Sequence, residues 1–403
     1  MSTSRREFLK GSALAGLGLY FAREGWAAPT SPNDKLNIAA IGIGGRGASD
    51  LDEVAKLGEN IVALCDVNKT TLANQGKRFP KATQYTDFRR LFDTEKGLDA
   101  VVCGAPDHVH ALVSAMALVR GLHVYCEKPL THTPYEARLL AELTRGSGLA
   151  TQMGNQGHAN NGLREAVEVM RAGTLGKISQ IHVWTDRPIG WWPQGVRKPT
   201  ETQPVPADLD WDSFLGPAPW RPYNKVYQPF VWRGWWDFGT GAIGDIACHM
   251  ADPAFWGLML GDPVRIESET DGTGTPDSPP LHSRTHYTFA DGAVLTWHDG
   301  KLKPDAELFC GRPIPDNGSL IVGSVGTMLM DGTAGYKLLP EKQWTDFKPP
   351  APSLPRSPGH HAEWVRAAKG GEPSQCPFTY AGHMTEVVLL GNISLRSGQP
   401  VEW

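Results

Sequence analysis

The sequence has few of the features that mark a disulfide-rich or membrane-spanning protein. Its 403 residues include only six cysteines, and no two of them form a C-x-x-C pair. Folding in a reducing compartment would leave these thiols free, so we expect no disulfide framework. Beyond the N-terminal leader no apolar run is long enough to cross a bilayer, so we expect no stable membrane anchor.

A basic surface is also absent. Lys and Arg number 39 against 43 Asp and Glu, which gives a formal net charge of −4 at pH 7. Binding of nucleic acid or of an anionic membrane normally needs clustered positive charge. We therefore expect no nucleic-acid partner.

Residues 1–28 have the pattern of an export signal. The run SRREFLK at 4–10 matches a twin-arginine signal, and a short apolar segment follows at 11–22. Small residues near Ala27 and Ala28 suggest a cleavage site. An ordinary basic N-terminal helix is the alternative. Twin-arginine export carries folded proteins, so we expect a periplasmic or extracytoplasmic location.

Residues 35–155 alternate short apolar runs with amphipathic segments, which is typical of a doubly wound α/β domain. The first apolar run ends in a G-x-G-x-x-G motif, formed by Gly42, Ile43, Gly44, Gly45, Arg46 and Gly47. In this motif the first glycine permits a tight turn, the second lets a pyrophosphate approach, and the last lets the helix pack on the strand. The free N–H groups of that helix would receive the phosphates.

Asp66 ends the second apolar run, nineteen positions after Gly47. A carboxylate at this distance is placed to accept hydrogen bonds from an adenosine ribose. It would also repel the 2′-phosphate of NADP, so the sequence favours NAD as the cofactor. Arg46 and Lys69 leave NADP possible, and a chance glycine turn is the alternative to nucleotide binding.

In such domains ligands bind beyond the carboxyl ends of the strands. Three segments are predicted there, at 105–110, 127–129 and 155–158. We expect Pro106, His110 and Glu127 beside the cofactor, and Gln156 and His158 within reach of the substrate. His108 and His110 form a His-x-His, but no further ligand spacing accompanies them, so we predict no metal site.

Two further motifs have the residues of acid–base chemistry. Lys128 follows a buried strand, and a lysine desolvated in a cleft has a lowered pKa and can relay a proton. Asp245 and His249 lie four apart on one helical face, where a carboxylate can hold the imidazole tautomer and raise its basicity. A surface lysine and a structural i,i+4 contact are the alternatives.

Residues 156–403 predict a second α/β domain, because alternating segments near 178, 264, 282, 293 and 320 indicate an open, largely antiparallel sheet. The C-terminal helix is expected to pack back across the domains. An insertion at 188–238 is rich in Trp and Pro. Tryptophan can stack on sugar rings, and we expect Trp235 and Trp236 to face the ligand because they precede the Asp245 helix. Hydrophobic core is the alternative for most tryptophans.

Together these motifs resemble the Gfo/Idh/MocA oxidoreductase family. The resemblance rests on the glycine loop, on Glu127-Lys128-Pro129 and on the Asp-x-x-x-His of Asp245 and His249. It implies a Rossmann domain joined to an α/β domain whose open sheet often mediates oligomers, so a homo-oligomer is expected. It also implies that Lys128, Asp245 and His249 meet at the nicotinamide, with Asp245 orienting the other two.

The expected activity is NAD(P)-dependent oxidation of a sugar, glycoside or cyclitol. Free NAD is not normally available outside the cytoplasm, so the nucleotide should be tightly held and returned to its starting state. A redox-neutral glycoside hydrolase that uses transient oxidation is one alternative. A carbohydrate sensor without turnover is the other.

Overall fold

The computed structural model describes residues 34–403. The predicted export signal lies outside the described residues. No helix among residues 34–403 has both the length and the apolar character needed to cross a bilayer. The six cysteines of the described chain are free thiols, and Cys310 alone among them is exposed.

The N-terminal half is built on a six-stranded parallel sheet of order β3-β2-β1-β4-β5-β6. Alternate residues of β1 enter different cores: Ala39 and Ile41 on one face, Ile38 and Ala40 on the other. Both faces are therefore covered, as the continuous apolar run predicts. The elements are β1 (Asn37–Ile41), α1 (Gly45–Lys56), β2 (Asn60–Cys65), α2 (Lys69–Arg78), β3 (Thr83–Tyr85), α3 (Phe88–Thr94), β4 (Ala100–Cys103), α4 (Asp107–Leu118), β5 (His123–Cys126), α5 (Pro134–Thr144) and β6 (Thr151–Met153).

The C-terminal half is built on an eight-stranded sheet of order β13-β12-β11-β7-β10-β9-β8-β14. Its neighbouring strands are antiparallel except β7 and β10, so the sheet is mixed and largely antiparallel. The elements are α6 (Asn161–Arg171), β7 (Ile178–Trp184), α7 (Trp211–Leu215), α8 (Gly241–Met250), α9 (Asp252–Leu258), β8 (Pro263–Thr270), β9 (Ser283–Phe289), β10 (Val294–His298), β11 (Gly318–Gly323), β12 (Thr327–Asp331), β13 (Lys337–Leu339), α10 (His360–Ala368), α11 (Phe378–Ser397) and β14 (Val401–Glu402).

The last two helices join the halves. Tyr287 of β9 donates to the carbonyl of Val388, which fixes α11 on one face of the large sheet. The opposite side of α11 packs on α5, where Gly382 permits the approach: a Cβ there would lie 2.8 Å from the Ala137 carbonyl oxygen. The C-terminal residues thus complete the packing of both sheets.

The insertion at 188–238 forms its own aromatic core and lies against the end of β2. The amide of Lys69 donates to Asp208 O at 2.7 Å, and the amide of Asp210 donates to Val67 O at 2.9 Å. Its buried side chains include Leu209, Trp211, Phe214, Tyr227, Trp235 and Phe238. The insertion therefore borders the chain directly after Asp66.

Candidate active site

A cleft of about 510 Å³ opens at the carboxyl ends of the parallel strands. Gly42, Gly44, Gly45, Arg46 and Asp66 all line it. Gly47 lies behind the lining and brings α1 onto the strand, since a Cβ on Gly47 would come within 1.8 Å of the Gly42 carbonyl oxygen. Gly42 is required as well, because its φ is +75° and a Cβ there would lie 2.4 Å from the amide nitrogen of Ala105.

The donors and acceptors of this cleft fit a dinucleotide. α1 begins directly after Gly44 with no side chain capping its first turn, so its amides are available for phosphate oxygens. Asp66 accepts hydrogen bonds from the amides of Ile43 (3.0 Å) and Asn68 (2.8 Å). Burial raises the pKa of Asp66, and these hydrogen bonds oppose that rise. A carboxylate here suits the ribose hydroxyls of NAD and repels an added 2′-phosphate.

Arg46 links two buried acids, Glu127, which lines the cleft as predicted, and Asp50, which does not. Its guanidinium lies 3.0 Å from Asp50 Oδ1 and 3.3 Å from Glu127 Oε1. Burial raises the pKa of Asp50 to about 6 and that of Glu127 to about 7. Gln156 donates to Glu127 Oε1 at 2.6 Å and contacts Tyr125 Oη at 2.9 Å. Gln156 therefore supports Glu127; it lines neither this cleft nor the adjoining one, and its contact with the substrate stays a prediction.

The two histidines of the His-x-His face away from the cleft. Pro106 and Val109 line it, whereas the His110 ring lies between the carbonyls of Ala105 (2.6 Å) and Pro129 (2.7 Å). His110 thus ties two strand-end loops together and does not reach the cofactor, contrary to expectation. The reason is the helical repeat of α4, which turns positions 108 and 110 away from the face carrying 109 and 113.

A second cleft, of about 750 Å³, adjoins the first. Lys128, Asp245 and His249 line it together, although they come from the two different halves of the chain. Lys128 and Arg233 also line the dinucleotide cleft, so the two clefts meet at these side chains.

Asp245 holds two cations in this second cleft. Its Oδ1 lies 2.7 Å from Lys128 Nζ and 2.9 Å from Arg233 Nε. Burial alone would raise the pKa of Asp245, but Lys128 and Arg233 outweigh it and hold that pKa well below its usual range. Burial would likewise lower the pKa of Lys128, yet Asp245 raises it overall. The prediction of a lowered lysine pKa is therefore wrong, and Lys128 is an ammonium at neutral pH.

His249 is a neutral imidazole. Burial and repulsion by Lys128 lower its pKa to about 3, against the opposing charge of Asp245. The expectation that Asp245 holds the His249 tautomer is wrong, because that carboxylate is turned towards Lys128 and Arg233. The charge of Asp245 does raise the pKa of His249, as expected, but burial and Lys128 outweigh it. The i,i+4 spacing places Asp245 and His249 on one face of α8, but the carboxylate pairs with the two cations, Lys128 and Arg233, and not with the imidazole.

Trp235 and Trp236 are core residues, so the prediction that they face the ligand is wrong. Trp235 is 2% exposed and donates to the carbonyl of Val226 at 2.7 Å. Trp236 is 6% exposed, with the guanidinium of Arg396 at 5.3 Å from its ring. The tryptophans that line the second cleft are Trp191 and Trp192, at the opposite end of the insertion. Although Trp235 and Trp236 come just before α8 in the sequence, that position did not place their rings in the cleft.

His158 is also placed away from the substrate cleft. It is 1% exposed, its Nδ1 lies 2.8 Å from Asp252 Oδ2, and its ring stacks on Trp256 at 3.8 Å. Its Nε2 lies 2.9 Å from the carbonyl of Gln375. The prediction that it reaches substrate is wrong, because these partners enclose the ring on all its polar edges.

Sequence reasoning did not place Arg233 in the Asp245 cluster. Its guanidinium lies over the rings of Trp232 (4.2 Å) and Phe230 (4.5 Å) while its Nε donates to Asp245. Arg233 lies in a short 3₁₀ helix, Val231–Gly234, and no periodic spacing relates it to a carboxylate on the following helix. The one sequence signal for Arg233 was its position within a run of aromatic residues.

A dinucleotide cleft joined to a cleft with acid–base side chains defines a nucleotide-dependent oxidoreductase. Residues 36–155 match the family model for the oxidoreductase NAD-binding Rossmann fold. Residues 160–313 match the model for the C-terminal alpha/beta domain of the same Gfo/Idh/MocA family. Since the two models cover well over half of the chain, the protein belongs to the Gfo/Idh/MocA family of NAD-dependent oxidoreductases.

Several curated relatives are similar over part of their length. A glycosyl hydrolase family 109 protein of Solibacter usitatus is 28% identical over 44% of this chain and 44% of its own. The levoglucosan dehydrogenase of Pseudarthrobacter phenanthrenivorans is 22% identical over 47% of this chain and 40% of its own. The inositol 2-dehydrogenase of Salmonella paratyphi B is 28% identical over 36% and 45%. The chain thus spans less than half of each of these relatives.

Solved structures share the fold over nearly the whole chain. The WlbA dehydrogenase from Bordetella pertussis, in complex with NADH and UDP-GlcNAcA, has a TM-score of 0.66 at 17% identity and covers 93% of this chain and 99% of its own. Levoglucosan dehydrogenase in complex with NADH and levoglucosan has a TM-score of 0.61 at 18% identity, with 92% and 99% covered. At these identities the likeness establishes the fold.

Proposed function

We propose that this protein oxidises a hydroxyl group of a sugar, glycoside or cyclitol and keeps its NAD bound between turnovers. One observation carries the proposal: Lys128, held 2.7 Å from Asp245, is shared by the dinucleotide cleft and by the cleft that contains His249. The curated relatives named for levoglucosan and inositol dehydrogenation support a polyhydroxy substrate. So do the solved structures bound to levoglucosan and UDP-GlcNAcA.

Bound NAD would supply a nicotinamide ring able to accept a hydride and to return it. Lys128, charged because Asp245 raises its pKa, donates a hydrogen bond to the reacting oxygen and stabilises the alkoxide that forms. His249 is uncharged at neutral pH because its pKa is lowered to about 3, so its ring nitrogen is free to accept the hydroxyl proton. A base this weak can take that proton because the O–H becomes strongly acidic as the carbon loses its hydride and the carbonyl forms. Asp245 keeps the ammonium of Lys128 in position and charged.

A second candidate is redox-neutral glycoside hydrolysis. Transient oxidation of one ring hydroxyl makes the neighbouring C–H acidic, so loss of that proton expels the aglycone. Water then adds to the double bond, and reduction restores the hydroxyl. Two cations, Lys128 and Arg233, surround the single carboxylate of Asp245, and this positive charge would stabilise the enolate that the elimination requires. The relative named as a glycosyl hydrolase family 109 protein supports hydrolysis of a glycoside as the net reaction.

Retention of the nucleotide is supported by the insertion. Phe214, Phe230 and Trp232 line the dinucleotide cleft opposite the glycine loop. His108 anchors this cover, since its ring nitrogens lie 2.9 Å from Phe214 O and 3.2 Å from Phe238 O. We also propose that the folded protein is exported with its nucleotide bound. A cover of this kind would keep the nucleotide in its cleft during export. The expected homo-oligomer stays a prediction.

The first experiment identifies the nucleotide and the net reaction. Protein recovered from its exported location is denatured, and the released nucleotide is identified by mass spectrometry. Native protein is then mixed with a panel of sugars, cyclitols and glycosides while the absorbance of reduced nicotinamide and the products are followed. Oxidised sugar supports the dehydrogenase, whereas hydrolysis alone with a deuterium isotope effect at the oxidised carbon supports the second candidate. No spectral change and no product would favour a sensor and contradict both.

Variants separate catalysis from nucleotide binding. Lys128→Met and His249→Ala should each lower turnover by roughly a hundredfold, the usual scale for loss of acid–base help, while nucleotide content stays unchanged. Lys177→Met, at an exposed lysine that lines neither cleft, is the matched control and should keep full activity. Wild-type turnover in either catalytic variant would refute the role assigned to that residue.

A further inference from the structure

Trp191 presents one open aromatic face to the substrate cleft. The guanidinium of Arg187, which also lines this cleft, stacks on one face at 4.0 Å from the centre of the ring, while 47% of Trp191 remains exposed. Arg187 is itself fixed, because its Nη1 donates to Asn317 Oδ1 at 2.9 Å and to Asp186 Oδ1 at 3.1 Å. The indole is therefore a rigid, exposed platform.

Phe230 is a second platform of the same construction. It is 44% exposed, and the guanidinium of Arg233 lies 4.5 Å from the centre of its ring. Trp192 packs against its edge, with the ring centres 6.1 Å apart. The cleft thus contains two exposed aromatic rings, each with an arginine stacked on one of its faces.

The two platforms lie at different depths. Phe230 lines both clefts and so lies next to Lys128 where they meet. Trp191 lines only the second cleft, which we call the outer cleft. The outer cleft has a volume of about 750 Å³, towards the upper end of the range of ~300–1,000 Å³ typical of small-molecule sites. A single pyranose would occupy only part of this space.

The charges around the outer platform disfavour an acidic ligand there. Asp186 neutralises Arg187, and Asp316 and Asp331 add carboxylates to the same wall of the cleft. Carboxylates and the Asn317 amide are good partners for uncharged hydroxyl groups, but they repel an anion.

We propose that the substrate is a glycoside of at least two units, whose reacting sugar lies beside Phe230 and whose second unit is a neutral sugar ring stacked on Trp191. This inference rests on the proposed function and defines its substrate class. The reacting unit lies within reach of Lys128 and His249, and the second unit provides binding energy at a distance from the chemistry.

The test measures binding and turnover separately. Methyl glucoside and methyl galactoside are each compared with disaccharides in which the same sugar is joined to glucose. Binding is measured by calorimetry on the Lys128→Met variant, and kcat/KM on the wild type. Disaccharides should bind and react about tenfold better than the methyl glycosides, the scale expected for one aromatic stack.

Substitutions at Trp191 test whether this residue causes the preference for disaccharides. Trp191→Ala should remove the advantage of disaccharides over methyl glycosides, while Trp191→Phe should keep most of it. Trp220→Ala, at a tryptophan that is 78% exposed and lines neither cleft, is the control and should change nothing.

The inference is overturned if methyl glycosides match the disaccharides, if none of the probes binds, or if Trp191→Ala weakens both classes equally. If disaccharides bind better than methyl glycosides but none of them reacts, the proposed function is contradicted and the inference about the binding site still holds.

Discussion

Lys128 and Arg233 donate to the same oxygen of Asp245, at 2.7 Å and 2.9 Å. Lys128 follows the last residue of β5 in the first half of the molecule, whereas Asp245 lies within α8 of the second. The ion pair therefore forms only when both halves are packed together. It sets the protonation state of the lysine on which the proposed chemistry depends.

Asp245→Asn should lower turnover at least tenfold and move the basic limb of the pH profile to lower pH. Burial and Arg233 both lower the pKa of Lys128, and Asp245 is the main group that raises it. Without the carboxylate the lysine loses its proton at lower pH. The measurement is kcat/KM from about pH 6 to about pH 11.

Asp346→Asn, at an exposed acid that lines neither cleft, is the control for this variant. An unchanged basic limb in Asp245→Asn would show that Asp245 does not control the charge of Lys128.

The acid limb of kcat/KM should lie well below pH 6.5, the ordinary pKa of histidine. The pKa of His249 is lowered to about 3, so the neutral imidazole that acts as the base persists as the pH falls. Lys128→Met removes a repelling charge and should raise this pKa, which NMR titration of the His249 ring can follow. A wild-type acid limb near pH 6.5, or no change in the variant, would contradict the assignment.

Gly47→Ala should abolish retention of the nucleotide. The added Cβ would come within 1.8 Å of Gly42 O and 3.2 Å of the Gly104 Cα, so α1 must move away from the strand. Gly97→Ala is the matched control in the same domain, because its Cβ would meet nothing within 4 Å. Nucleotide content after gel filtration is the measurement, and circular dichroism checks that each variant is folded. Equal nucleotide content in Gly47→Ala and Gly97→Ala would refute the requirement for glycine at position 47.

Thr70→Val and Asp208→Ala should each speed release of the nucleotide by about two- to tenfold. Thr70 Oγ1 donates to Asp208 Oδ2 at 2.8 Å and helps to hold the insertion against the segment after Asp66. This hydrogen bond is exposed to solvent, so its loss should change the release rate only modestly. The double variant should be no faster than Asp208→Ala alone, because that substitution already removes the bond from Thr70 together with the one from Asn68 Nδ2 at 3.4 Å.

Release can be measured by competition with a fluorescent nucleotide analogue. Val205→Ala, at an exposed site in the insertion, is the control. Additive effects of the two substitutions would contradict a shared contact.

Local pattern in the sequence determined the architecture. The apolar run before Gly42 predicts a strand buried on both faces, and the structure places its alternate residues in opposite cores. Asp66 and Lys128 follow the ends of apolar runs, and parallel strands bring those ends to one edge of a sheet. Such features depend on a few neighbouring residues, so they can be identified without knowing what packs against them.

The tertiary structure alone decided which partner each polar group took and which face each aromatic presented. Asp245 could have oriented His249 but is held by Lys128 and Arg233, while His158 pairs with Asp252. Trp235 is buried and Trp191 is exposed, although both belong to the same insertion. The reason is that helical spacing limits which groups can meet, but competing charges and packing from segments distant in sequence select which of them do.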